Sequence, residues 1–112
     1  MTDWGISERA AALHADALVW DNHAGFEPEP DVDLNQLEQW HDAGIDYLSV
    51  NVGYDRRPWQ GTAIALSAYR AWIIAHPEGY SLCQTVADVR RAKAEGKLGI
   101  TFDIEGMDSL NE

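Results

Sequence analysis

The chain has 112 residues, of which 46% are hydrophobic and 24% charged, a composition that fits one globular domain and not a disordered or fibrous chain. Nineteen acids against eight bases give a formal charge of -11, a field that repels phosphate backbones and anionic lipid surfaces and so argues against nucleic-acid or membrane-surface binding. A single cysteine, Cys83, excludes an intramolecular disulfide framework, and with no basic neighbour close in sequence it reads as a small half-buried apolar residue.

Residues 1–18 carry acids and no long apolar run, so neither a secretory signal nor membrane insertion is expected there, and the expected location is cytoplasmic. Ala17-Leu18-Val19-Trp20 is a short apolar run bounded by Asp21-Asn22-His23, the pattern of a strand buried on both faces in a parallel sheet. A loop punctuated by Gly25, Pro28 and Pro30 follows, and Asp33 then caps a helix expected over 34–43, with Leu34, Leu37 and Trp40 spaced along one face and Gly44 as its stop. A second strand is expected over 46–52, ended by Gly53. A loop leads to a helix over 62–75, which Pro77 ends by disfavouring helical geometry at His76. Thr85 and Asp88 form the T-x-x-D version of a capping box for a third helix closed by Gly96, and residues 98–104 form a third strand ending at Glu105-Gly106.

The order β-α-β-α-α-β implies parallel strands with right-handed crossovers and no internal domain boundary. Three parallel strands leave two unpaired edges, so the expectation is an incomplete single domain over 1–112, the N-terminal portion of a larger α/β fold.

In parallel α/β folds functional side chains gather at the C-terminal ends of strands. Those ends carry Asp21, Asn22 and His23; then Asn51, Tyr54 and Asp55; then Asp103, Glu105 and Gly106. Alternation along a strand puts Asp21 with His23, and Asp103 with Glu105, on shared faces, so that four metal-capable groups could converge at one rim. An imidazole with several carboxylates suits zinc or a similar divalent ion. Each group also has a plainer reading, as a hydrogen-bonded loop residue or solvated turn. Asp103, among Ile100, Phe102 and Ile104, is costly to bury unless paired. His14, His41 and His76 read as structural, Arg56-Arg57 as an exposed loop able to touch a substrate carboxylate, and Arg90-Arg91 as a solvated face.

The segment VWDNH (19–23) resembles the strand-one metal motif of the membrane (renal) dipeptidase family, and TVADVRRAKAEGKLGITFDIEG (85–106) resembles that family's capped helix followed by a strand ending in Glu-Gly. The resemblance implies a (β/α)8 TIM barrel of the amidohydrolase type, a metallopeptidase hydrolysing dipeptides or small amides with one or two divalent ions, zinc above all. By motif match His23 is the strand-one ligand and Glu105 the catalytic carboxylate bridging the metals. The family's His-x-Asp reads His23-Ala24-Gly25 here, and Asp21 or Asp103 are the candidates to stand in for the missing carboxylate.

The resemblance further implies that this part is inactive alone, since such a barrel needs about 250 residues, and that it works with the remainder of the barrel or as a homo-oligomer. Two other readings stay open. One is a related hydrolase of small amides, esters or lactones. The other is a non-catalytic α/β module that oligomerises through its exposed sheet edges.

Overall fold

The structure, a computed structural model, describes residues 5–110. Among the described residues four α-helices and four strands follow one another: α1 Glu8–Asp16, β1 Trp20–Ala24, α2 Glu38–Asp42 behind a 3-10 turn over Leu34–Leu37, β2 Tyr47–Gly53, α3 Trp59–Ala75, β3 Tyr80–Leu82, α4 Val86–Ala94 and β4 Leu98–Ile104, with a 3-10 turn over Asp108–Leu110 after it. The strands make one parallel sheet in the order β1-β2-β4-β3. The architecture is thus mixed α/β with a parallel sheet, as expected, but with a fourth strand. β3 was not expected; Tyr80, Ser81 and Leu82 pair with Leu98, Gly99 and Ile100 at the edge.

The extra strand explains the layering. The connection from β2 to β3 passes over β4, and the connection from β3 to β4 runs back the other way. Two right-handed crossovers in opposite directions must lay their helices on opposite faces of the sheet. Accordingly Leu48, Val50, Val52, Leu98 and Ile100 pack with Tyr69 and Ile73 of α3 and with Leu34 and Leu37 on one face. Tyr47 on the other face packs with Cys83 and with Val89 and Ala92 of α4. Gly99 is needed there, because a Cβ would lie 2.9 Å from Cys83 Sγ. Tyr47 and Gly99 sit at the beginnings of their strands and Leu18 just before β1. Helix α4 therefore covers only the lower part of its face and leaves the C-terminal strand ends open.

Local signals act as read in several places. Thr85 and Asp88 form both bonds of the capping box, Asp33 caps the turn that opens at Leu34, and Gly44 takes φ +85 where the helix stops. Cys83 is buried, and desolvation raises its thiol pKa. The first strand begins later than expected, at Trp20, with Ala17, Leu18 and Val19 leading into it. Its pairing also slips: Asp21 opposes Leu48, but Ala24 opposes Val50, so one extra residue bulges between them.

Candidate functional site

The bulge decides which way the first strand's polar groups point. By register Asp21 shares the face of Leu48, the side covered by α3, and its carboxylate accepts the backbone N–H of His23 at 3.2 Å. The ring of His23, by contrast, reaches across the sheet to Asp103, which is paired with Asn51 on the opposite face. The expected shared face of Asp21 and His23 is therefore not found, because the extra residue breaks the alternation on which it rested.

Groups from the ends of β1 and β4 meet around the His23 ring. His23 Nδ1 lies 2.8 Å from Asp103 Oδ1, and His23 Nε2 lies 3.4 Å from Glu105 Oε2. Asp103 is held in turn by β2: Ser49 Oγ donates to its Oδ2 at 2.7 Å and Asn51 Nδ2 donates to its Oδ1 at 3.1 Å. The pairing demanded of a carboxylate among Ile100, Phe102 and Ile104 is met, by an imidazole and two neutral donors. The hydrogen bond from His23 Nδ1 to Asp103, reinforced by the charges of Asp103 and Glu105, raises the pKa of His23 above 6.5 against a smaller opposing desolvation.

Glu105 is positioned by backbone. Its N–H donates to Gly53 O at 2.8 Å. Gly106, at φ +79, makes the turn behind it, and the Asp55 carboxylate occupies the space a Cβ would need there. Gly25 has φ +146, with Asn51 N 3.4 Å from where a Cβ would stand. The position where the resembled family has Asp is thus one whose backbone here favours glycine.

A shallow depression of about 230 Å³ opens beside these groups, lined by His23, Gly25, Glu27, Asn51, Tyr54 and Glu105 among others. Its outer wall is tied by Arg57, which bonds Glu27 and reaches Glu29 at 2.6 Å, while Tyr54 OH donates to Glu27 at 2.7 Å. Those two donors, Tyr54 first, lower the pKa of Glu27. Arg57 is thus a strut between the loops after β1 and β2, and Arg56 alone of the pair stays exposed, held in a left-handed conformation (φ +73) with its N–H on Asp108. His76 bonds the Trp72 carbonyl at 2.7 Å and stacks on its ring, far in role from the strand ends.

Two ligand atoms each about 2.1 Å from a tetrahedral zinc ion lie about 3.4 Å apart, and the His23 Nε2 to Glu105 Oε2 separation is 3.4 Å. Both side chains are open to solvent, at 51% and 65% exposure. These two fit a divalent ion. Among the described residues no group of three His, Cys, Asp or Glu side chains is arranged to hold one, so further ligands would have to come from elsewhere. Ser49 and Asn51 went unread as a unit in the sequence, although S-x-N on β2 and T-x-D on β4 carry the period-two polar pattern of a shared face. Tyr47 OH and Thr101 Oγ1, 2.5 Å apart, continue that pattern below.

The parallel sheet with helices on both faces and open strand ends defines a mixed α/β fold. The chain is similar in structure to an amidohydrolase from Pseudomonas aeruginosa, with a TM-score of 0.73 and 24% identity over 89% of this chain and 29% of that one. It is similar also to the probable dipeptidase PvdM from Pseudomonas aeruginosa, with a TM-score of 0.73 and 15% identity over 93% of this chain and 32% of that one. The chain thus spans about a third of the length of these structures. No family model matches the sequence, and no curated protein matches it. Among the described residues no helix is long and apolar enough to cross a membrane.

Proposed function

We propose that this chain supplies the first part of the metal site of a hydrolase that cuts dipeptides or similar small amides, with His23 Nε2 and Glu105 as its ligands. The reading is carried by one observation: an imidazole nitrogen on β1 and a carboxylate oxygen from the residue that follows β4 stand 3.4 Å apart at the open strand ends, a spacing suited to sharing one ion. The partial structural likeness to an amidohydrolase and a probable dipeptidase supports the same class. A divalent ion, zinc by preference, would supply Lewis-acid polarisation of an amide carbonyl and would acidify water.

The chain's own residues have separate tasks. His23 and Glu105 bind. Asp103, Ser49 and Asn51 hold the His23 ring in place, and Arg57 with Tyr54 fixes the acidic lip at Glu27. Helix α4 packs against the lower end of the same face through Val89 and Ala92 and leaves the strand ends open. Because this part carries two ligands, it is expected to be inactive without the rest of a barrel.

The test is calorimetric titration of Zn²⁺ into the protein, followed by a dipeptidase assay on protein carrying the complete barrel. Binding should weaken by about tenfold or more in His23→Ala and in Glu105→Gln, and both variants should lose hydrolysis of free-ended dipeptides. Zinc binding that ignores both substitutions sinks the reading.

A further inference from the structure

We infer that Asp103 is a positioning residue that fixes the tautomer of His23, taking the Nδ1 proton and leaving Nε2 as a bare lone pair on the side of Glu105. The inference follows from counting donors. Asn51 is buried and gives its amide nitrogen to two acceptors, Gly53 O at 3.0 Å and Asp103 Oδ1 at 3.1 Å. A carbonyl can only accept, so the nitrogen of the Asn51 amide faces the carboxylate, and the second contact is a donation to Asp103. Ser49 Oγ donates to the other oxygen at 2.7 Å. Two donors from β2 aimed at one carboxylate hold it as an acceptor on both oxygens. The third partner, His23 Nδ1 at 2.8 Å, must then be the one that carries a proton.

The competing acceptor is weaker in every respect. Glu105 Oε2 is 3.4 Å from Nε2, beyond the favoured hydrogen-bond range, and its side chain is 65% exposed against 24% for Asp103. With one proton to place on the neutral ring, Asp103 wins it. A carboxylate on one imidazole nitrogen is also the arrangement that orients a ligating histidine and makes its other nitrogen more basic. Asp103 therefore acts through His23 and is not itself a ligand, contrary to its expected place among four metal-binding groups. The ligand role of the exposed nitrogen rests on the proposed hydrolase reading, but the tautomer does not.

The test reads the ring directly. Protein labelled with ¹⁵N-histidine is placed in metal-free, mildly alkaline buffer, and long-range ¹H–¹⁵N correlations of His23 are assigned with a His23→Gln variant. The wild type should show a protonated Nδ1 and a bare Nε2. Asp103→Asn keeps an oxygen that can accept the Nδ1 proton and should preserve this state. Asp103→Ala should shift the ring to the Nε2-protonated form that a free imidazole favours, and should weaken Zn²⁺ binding by about tenfold, with Asp103→Asn falling between. An Nε2-protonated ring in the wild type overturns the inference even where the alanine variant fails to fold, and so does an unchanged tautomer in a folded Asp103→Ala. The expected tautomers with no zinc bound would uphold the inference and count against the hydrolase reading alone.

Discussion

Gly106 illustrates how single residues set the geometry of the strand ends. Its φ of +79 is a conformation that residues with a Cβ adopt at a cost, and the Asp55 carboxylate fills the space beside it. Gly106→Ala should therefore cost about 1–2 kcal/mol in denaturant unfolding, and it should also disturb Glu105, whose N–H bonds Gly53 O. An alanine variant as stable as the wild type would show that the turn adjusts freely. His23 titrates in a direction that the structure fixes. Its pKa is raised, so the stability gained from its pairing with Asp103 is fully present below the unfolded value of 6.5 and is lost as the pH rises through the folded value. Acid would also protonate the nitrogen that a metal needs, so ion binding and the imidazolium pairing with Asp103 are opposed on the pH axis. The two carboxylates near this ring differ in kind: Asp103 is anchored by two donors from β2, while Glu105 is held by its backbone bond to Gly53 and faces His23 Nε2 at 3.4 Å.

Among the elements, α4 depends most visibly on a local signal. Thr85 accepts the Asp88 N–H, and Asp88 accepts the N–H groups of Gln84 and Thr85. Thr85→Ala should cost about 1 kcal/mol, measured by thermal or denaturant unfolding. Asp88 adds a pH signature: the backbone bond from Gln84, followed by the Thr85 contacts, lowers its pKa. A lowered carboxyl contributes stability above its ordinary pKa and loses it as pH falls through the folded value. Asp88→Asn should thus destabilise at neutral pH and matter progressively less in acid; an effect constant with pH would contradict the cap. This box was legible in the sequence, as were β4 over Leu98–Ile104 and the body of α3, because each carries a strong local pattern. Strand β3 was not legible, since three residues between the Pro77 turn and the Thr85 cap are too few to show a period. Strand β1 was placed too early because its polar residues Asp21, Asn22 and His23 hide their extended pairing. The meeting of His23 with Glu105 could be foreseen from strand ends. The role of Asp103 could not, because it depends on a register that sets Asn51 opposite Asp103 and on a bulge that turns Asp21 away.

At the scale of the whole molecule, two apolar clusters lie on opposite faces of one sheet, and the same two strands carry both. Tyr47 and Leu48 are successive residues of β2, and one belongs to the α4 cluster while the other belongs to the α3 cluster. Gly99 and Ile100 of β4 divide in the same way, with Gly99 against Cys83 and Ile100 in the larger core. Neither helix can leave without exposing residues on strands the other needs, so the two faces should unfold as one unit. Two tryptophans allow this to be measured. Trp20 packs at a tilt on Tyr47 with ring centroids 3.9 Å apart on the α4 side, and Trp72 packs on Tyr80 at 5.1 Å on the α3 side. Variants retaining only one or the other of these indoles, with the remaining tryptophans replaced by phenylalanine, should report the same urea midpoint by fluorescence when each is compared with circular dichroism of the same variant. If the Trp20 signal changes at lower urea than the helix signal, the α4 face is an independent, weaker unit, and its packing on Tyr47 and Cys83 is not needed to hold the α3 face together.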